Sequence, residues 1–148
     1  MNRFKKLIFV ACFMVSWVAW VAYGAYFETK TFYSAFDATS TSYVYDSAGG
    51  TAATSGQFDV QRFDEKTILI AITTLNSTSI AVRIEGKVNG TWGNIYTKTY
   101  TAATSYPEVV YVIENIEYIR VGLIVVSDVA SDSVTITGNF VQTGQRLQ

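Results

Sequence analysis

The chain contains no histidine, one cysteine and one proline. The cysteine, Cys12, lies in an apolar leader, so a domain starting at residue 25 holds neither thiol nor imidazole. That absence excludes zinc sites built on Cys and His, nucleophiles activated by His, and haem or iron–sulfur ligation. It also excludes disulfides, so an exported domain of this composition is held by its core and its sheets. No cofactor is expected. Basic charge is scarce as well. Arg3, Lys5 and Lys6 are the only charges before Glu28, and the 8 basic residues that remain face 12 acidic ones, a net of −4. No Lys/Arg cluster follows the leader, which argues against nucleic acid as a partner.

Helical patterning is equally scarce after residue 26. No stretch longer than ten residues carries apolar residues at i, i+3, i+4 and i+7. With Pro107 the single proline, punctuation falls to small and polar runs, "DSAGGTAATSG" (46–56) and "TAATSYP" (101–107), which read as loops.

What is present begins with the leader, "MNRFKKLIFVACFMVSWVAWVAYGAYF". A basic start precedes an unbroken apolar stretch from Leu7 to Ala25, with Ala22 and Gly24 in the small-x-small spacing of a signal peptidase site. Residues 1–24 are therefore expected to be a signal peptide. The alternative is an uncut signal anchor, since residues 7–25 approach the ~20 residues that span a bilayer. Lys5 and Lys6 stay inside in either case, and residues 25–148 face outward as one domain, extracellular or at the cell surface. The membrane is touched only through residues 7–25, if they are uncleaved. Cys12 does not make a lipoprotein signal, because "FVAC" puts Phe9 where a lipobox carries Leu.

Residues 26–148 show alternating or continuous apolar runs rich in β-branched and aromatic residues. Strands are predicted over 27–36, 40–46, 56–62, 67–75, 79–88, 92–101, 108–114, 117–127 and 133–142. "TILIAITTL" and "YIRVGLIVV" are apolar on both faces and read as central strands. In "SIAVRIEGKV", Ile80, Val82, Ile84 and Val88 share one face and Arg83, Glu85 and Lys87 the other, one buried and one wet. The fold class is all-β: an antiparallel β-sandwich or jelly roll of about 8–9 strands, preceded by one N-terminal hydrophobic helix. Ile70, Ile72, Ile84, Val121 and Leu123 are expected in the core.

"VRIEGKVNGTWGNIYTKTY" (82–100) is the strongest local signal. Asn89-Gly90 suits a two-residue type I′ turn, which needs φ > 0 twice. In that register Lys87 faces Trp92, Glu85 faces Asn94 and Arg83 faces Tyr96, with the aromatics under cations on the outer surface. A three-residue loop would instead set Val88 against Trp92 and Ile84 against Tyr96, turning the aromatics into the core at the expense of burying Asn94 and Lys98. The first register is favoured. Trp92, Tyr96 and Tyr100, with Arg83 and Lys87, then form a candidate glycan platform or subunit contact. Cross-strand aromatic pairing is the ordinary structural alternative.

Carboxylates are scattered, and a glycosidase would need two of them to converge at ~5–9.5 Å. "SDVASDS" (127–133) has two Asp four apart and reads as a solvated turn, not a calcium loop. No catalytic residue, metal site or phosphate loop is identified, and the chain is expected not to be an enzyme.

The hairpin just quoted, followed by "IEYIRVGLIVVSDVASDSVTITGNF", resembles the small β-sandwich modules of phage virion and bacterial surface structural proteins over residues 65–142. The resemblance implies a structural or adhesive role without catalysis. The leader favours the surface-protein side of it. The expectation is thus an exported structural subunit of a fibre, pilus-like filament, surface layer or virion-related assembly that associates with itself. A glycan-binding module is the alternative. The segment "YFETKTFYSAF" adds a candidate donor strand through Tyr26, Phe27, Phe32, Tyr33 and Phe36, which either completes its own sheet or joins a neighbour's.

Overall fold

The computed structural model describes residues 25–37, 42–45, 56–113, 115–126 and 131–143. The leader with Cys12, most of the 46–56 loop and residues 127–130 lie outside the described residues. The described residues are all-β, with nine strands in two antiparallel sheets. The first sheet has the order β1 (Tyr26–Phe36), β9 (Ser133–Gln142), β4 (Glu65–Thr74), β7 (Glu108–Tyr111). The second has the order β2 (Val44–Tyr45), β8 (Tyr118–Val126), β5 (Ser79–Val88), β6 (Thr91–Tyr100). The short β3 (Phe58–Asp59) pairs further along β8, so β2 and β3 act as one interrupted edge strand.

Only β5 and β6 are consecutive strands paired as a hairpin. The other connections among β1, β2/β3, β4, β7, β8 and β9 cross between sheets, so the first strand, β1, lies beside the last, β9. The period-two patterns explain why the sheets stack. Ile68, Ile70 and Ile72 of β4 and Val134, Ile136 and Phe140 of β9 face Ile80, Val82 and Ile84 of β5 and Ile119, Val121, Leu123 and Val125 of β8. All are buried, including the five residues expected in the core. Phe58 and Phe63 fill one end against Phe140, with ring centroids 4.8 and 5.4 Å from it.

β1 departs from simple alternation. Its register with β9 shifts after Thr31 and again after Tyr33, and both Phe32 and Tyr33 are buried. Two adjacent residues enter one core only through such a bulge. The Tyr33 hydroxyl then reaches the carbonyls of Val44 (2.5 Å) and Val121 (3.1 Å), tying β1 to the opposite sheet. Asp132 differs from the solvated turn expected of it. It is buried, and its carboxylate accepts from the backbone N–H of Asn76 and Ser77 and from the Ser77 hydroxyl. Burial works against its charge, but these donors outweigh it and hold the carboxyl below its ordinary range.

Candidate functional site

The β5–β6 turn has two residues, with Asn89 at φ 49° and Gly90 at φ 79°, the left-handed pair of a type I′ turn. Lys87 faces Trp92 and Glu85 faces Asn94. Then the register shifts, because Ile95 is an extra residue on β6. Beyond it Ile84 pairs with Tyr96 and Arg83 with Thr97, so the expected Arg83–Tyr96 pair is corrected. The cause is Ile95-Tyr96, two adjacent residues that both pack toward the core. Ile95 fits there because Gly86, which its side chain reaches across the hairpin, has no side chain of its own; a Cβ at Gly86 would lie 2.7 Å from the Ile95 Cδ1. Both registers weighed from the sequence thus occur in one hairpin, joined by the bulge.

The bulge divides the expected aromatic platform. Trp92, Arg83 and Lys87 stay on the outer face. Tyr96 turns inward and Tyr100 is only 6 % exposed, so neither shares a surface with Trp92. Instead they close the sandwich at the β6–β7 edge. The Tyr96 hydroxyl donates to Glu108 Oε1 at 2.6 Å, the Tyr100 hydroxyl to Oε2 at 2.9 Å, and Lys98 Nζ to Oε2 at 2.6 Å. Burial and the adjacent carboxylate push the Tyr96 phenol up to about 12 and raise Tyr100 further. Burial opposes the Glu108 charge, yet Lys98 and the two phenols hold its carboxyl below the usual value.

The outer face of the five-stranded sheet gains residues that the sequence reading missed. Arg120 lies over the rings of Tyr45 (4.0 Å) and Trp92 (4.1 Å). Arg83 lies over Tyr43 (4.1 Å), and Lys87 near Trp92 (5.8 Å) and Tyr118 (5.4 Å). Glu85 sits between the arginines. Its Oε2 accepts from Arg120 Nε at 2.7 Å and lies 2.6 Å from Nη2, while Oε1 is 3.6 Å from Arg83 Nη1. Tyr45 packs flat on Gly122, where a Cβ would lie 2.9 Å from the ring. The signal for the missed residues was there: Tyr43/Tyr45 and Tyr118/Arg120 are i, i+2 pairs, each on one face of its strand.

The outer face of the four-stranded sheet is of opposite character. Across it lie Phe27, Thr29 and Thr31 of β1, Thr135, Thr137, Asn139 and Val141 of β9, Thr67, Leu69 and Ala71 of β4, and Val109 and Tyr111 of β7. Among the described residues of this face only Glu65 is charged. Phe27 is 70 % exposed, Tyr111 73 % and Ile113, just past β7, 90 %. Of the donor-strand candidates, Phe32 and Tyr33 are core, Phe36 packs on the core, Tyr26 lies beneath Arg62, and Phe27 alone points outward without cover. β1 fills its own sheet against β9.

Among the described residues, the carboxylates other than Glu65 serve as caps and counter-ions. Glu28 pairs with Arg62, Asp64 accepts from Thr143, Glu117 from the Asn89 N–H, and Asp37 from the Asp132 N–H. No group of three potential metal ligands occurs among the described residues.

No protein-family model matches the chain, and no curated protein matches it. Among solved structures it is similar to a chain in the structure of infectious bursal disease virus, Gx strain, at 14 % identity and a TM-score of 0.44, over 82 % of this chain and 33 % of that one. It is also similar to the Yersinia pseudotuberculosis-derived mitogen, at 12 % identity and a TM-score of 0.34, over 84 % of this chain and 89 % of the mitogen. This chain matches one third of the viral chain's length. Similarity at this level leaves the functional reading to the chain's own residues.

Proposed function

We propose that the protein is an exported, non-enzymatic structural subunit of an extracellular or surface assembly, a fibre, pilus-like filament, surface layer or virion-related shell, and that its partner is a second copy of itself. The observation that carries this reading is the outer face of the four-stranded sheet, with one charge, Glu65, and apolar residues exposed at both of its edges. Large apolar side chains exposed on a nearly uncharged face mark interaction sites. A face so nearly free of charge meets its own copy without like-charge repulsion.

The edges add to the argument. Val112 N–H bonds to Lys66 O, which fixes the ladder so that the backbone groups of Val109 and Tyr111 turn away from β4. The four strands alternate in direction, so β7 of one copy beside β1 of the next continues an antiparallel sheet. The strand order, B-I-D-G and C-H-E-F in the usual lettering, is that of a jelly roll, an architecture used in capsid and lectin domains alike. Fold alone does not decide between those uses. The engagement of the carboxylates as caps and counter-ions supports the absence of catalysis. The basic, apolar leader supports export to the surface.

The test is to express the full-length chain, purify the product and examine it by negative-stain electron microscopy and light scattering. Filaments, sheets or closed shells are expected. The variant Tyr111→Lys, on an exposed position, should leave the fold intact and abolish them. A wild-type protein that stays monomeric at high concentration would overturn the reading.

A further inference from the structure

The opposite face carries a separate inference, independent of self-association. On the outer face of the five-stranded sheet three cations, Arg83, Lys87 and Arg120, stand against two carboxylates among the described residues, Glu85 between the arginines and Asp59 beside Tyr118 on β3, which accepts from the Gln61 N–H. Elsewhere Arg62 has Glu28 and Lys98 has Glu108. Here Glu85 is committed to Arg120 and reaches Arg83 only at 3.6 Å, while Lys87 lies against aromatic rings and forms no ion pair among the described residues. The Nε of Arg83 is buried without a hydrogen-bond partner. A surplus of positive charge is thus held on one face of a domain whose overall balance is negative.

The geometry points to this face as a binding surface for an acidic polysaccharide, one bearing carboxylate or sulfate groups along its length. Arg83 and Lys87 lie four residues apart on β5, about 13 Å, so they suit an extended chain with repeating charges. The guanidinium groups of Arg83 and Arg120 are held in place by Tyr43, Tyr45 and Trp92, which removes much of the entropy cost of ordering them on a ligand. Beside them Asn94 and Thr97 are exposed on β6; the Thr97 hydroxyl donates to Asn94 Oδ1 at 2.8 Å, which leaves the Asn94 amide N–H groups to donate to, and the Thr97 oxygen to accept from, sugar hydroxyls. Nucleic acid fits less well, because three cations in a net-negative domain supply too few phosphate contacts. The residues differ from the platform expected from the sequence: Tyr43, Tyr45, Tyr118 and Arg120 enter, and Tyr96 and Tyr100 leave.

The test uses the full-length chain carrying Tyr111→Lys, the variant expected to stay folded and unassembled, and four immobilised probes: polygalacturonate (carboxylate), heparin (sulfate), dextran (neutral) and double-stranded DNA. Binding to polygalacturonate or heparin is expected, weakening as salt rises; which of the two binds more tightly identifies the anionic group. The Arg83→Gln, Lys87→Gln double variant should weaken it at least tenfold and Lys87→Gln alone by less, while Lys98→Gln, the same charge change as Lys87→Gln on another part of the domain, should not. Should the double variant fail to fold by circular dichroism, Lys87→Gln alone carries the comparison, since that side chain has no ion pair to lose. Binding to neither acidic polysaccharide at low salt would overturn the inference. So would equal retention on dextran, equal weakening by Lys98→Gln, or tighter binding to DNA.

Discussion

The carboxylate of Glu108, on the edge strand of one sheet, accepts a hydrogen bond at 2.6 Å from the hydroxyl of Tyr96, on the edge strand of the other. Lys98 and Tyr100 complete the contact, so one carboxylate closes the open side of the sandwich. The Tyr96 phenol is raised from an ordinary value near 10 to about 12. A raised folded value means that the stabilisation is whole below the unfolded value and is lost as pH rises through the folded one. Stability should therefore decline between about pH 10 and 12 as this contact titrates. Tyr96→Phe should cost about 0.5–1.5 kcal/mol at neutral pH and make the alkaline decline shallower. Urea unfolding midpoints of both proteins from pH 7 to 12 decide it; parallel curves would refute the assignment.

Asp132 predicts the acid limb. Its folded value is depressed, because the donors of Ser77 and Asn76 overcome the burial penalty. The sign is opposite to that of Tyr96: the stabilisation is present above the unfolded carboxyl value and is lost as pH falls through the folded one. Asp132→Asn cannot accept from the three donors as a charged group and should destabilise by about 1–3 kcal/mol at pH 7. Its stability should then depend less on pH below about 4 than that of the parent. An asparagine variant as stable as the parent at pH 7 would remove Asp132 from the group that anchors the β4–β5 turn.

Gly122 links the core strand β8 to the aromatic layer above it. A methyl group there meets the Tyr45 ring at 2.9 Å, with Tyr43 next at 3.3 Å. Gly122→Val should lift both rings from the sheet and loosen their hold on Arg120 and Arg83, at about 1–3 kcal/mol. Thermal unfolding reads the loss. An unchanged midpoint would mean that β2 moves aside freely and that the rings do not fix the arginines.

How much of this was legible in the sequence depends on parity. Strands that alternate strictly, such as Ile80 to Ile84, or run apolar throughout, such as Ile119 to Val125, were located within a residue or two, and their inward faces followed. The Asn89-Gly90 turn was legible because few residue pairs adopt its backbone. What parity could not give was the bulge. Nothing short of the Ile95 side chain packing over Gly86 across the hairpin says that the register changes between Asn94 and Tyr96. That single insertion moved Tyr96 and Tyr100 from the expected outer platform to the inner edge. The residues that replace them around Trp92 come from β2 and β8, and only the sheet order brings those strands to β5 and β6.

β1 supplies the last prediction, and it separates a structural strand from an exchangeable one. The strand buries Phe32 and Tyr33, covers the edge of β9 along most of its length, and anchors to the opposite sheet through the Tyr33 hydroxyl. Each buried aromatic contributes on the order of 3–5 kcal/mol when truncated, against a total domain stability of about 5–15 kcal/mol. Deleting residues 25–36 should therefore leave a chain that does not fold alone, with the β9 edge open. Because β1 is joined to the rest only through residues 37–43 and pairs with the final strand, a synthetic peptide of residues 25–36 should restore folding when added in trans. Circular dichroism of the deleted chain with and without peptide measures this. Recovery would show that the strand can be donated from one copy to another. A deleted chain that folds unaided would mean the strand is not part of the domain, and failure of the peptide to rescue would confine β1 to its own chain.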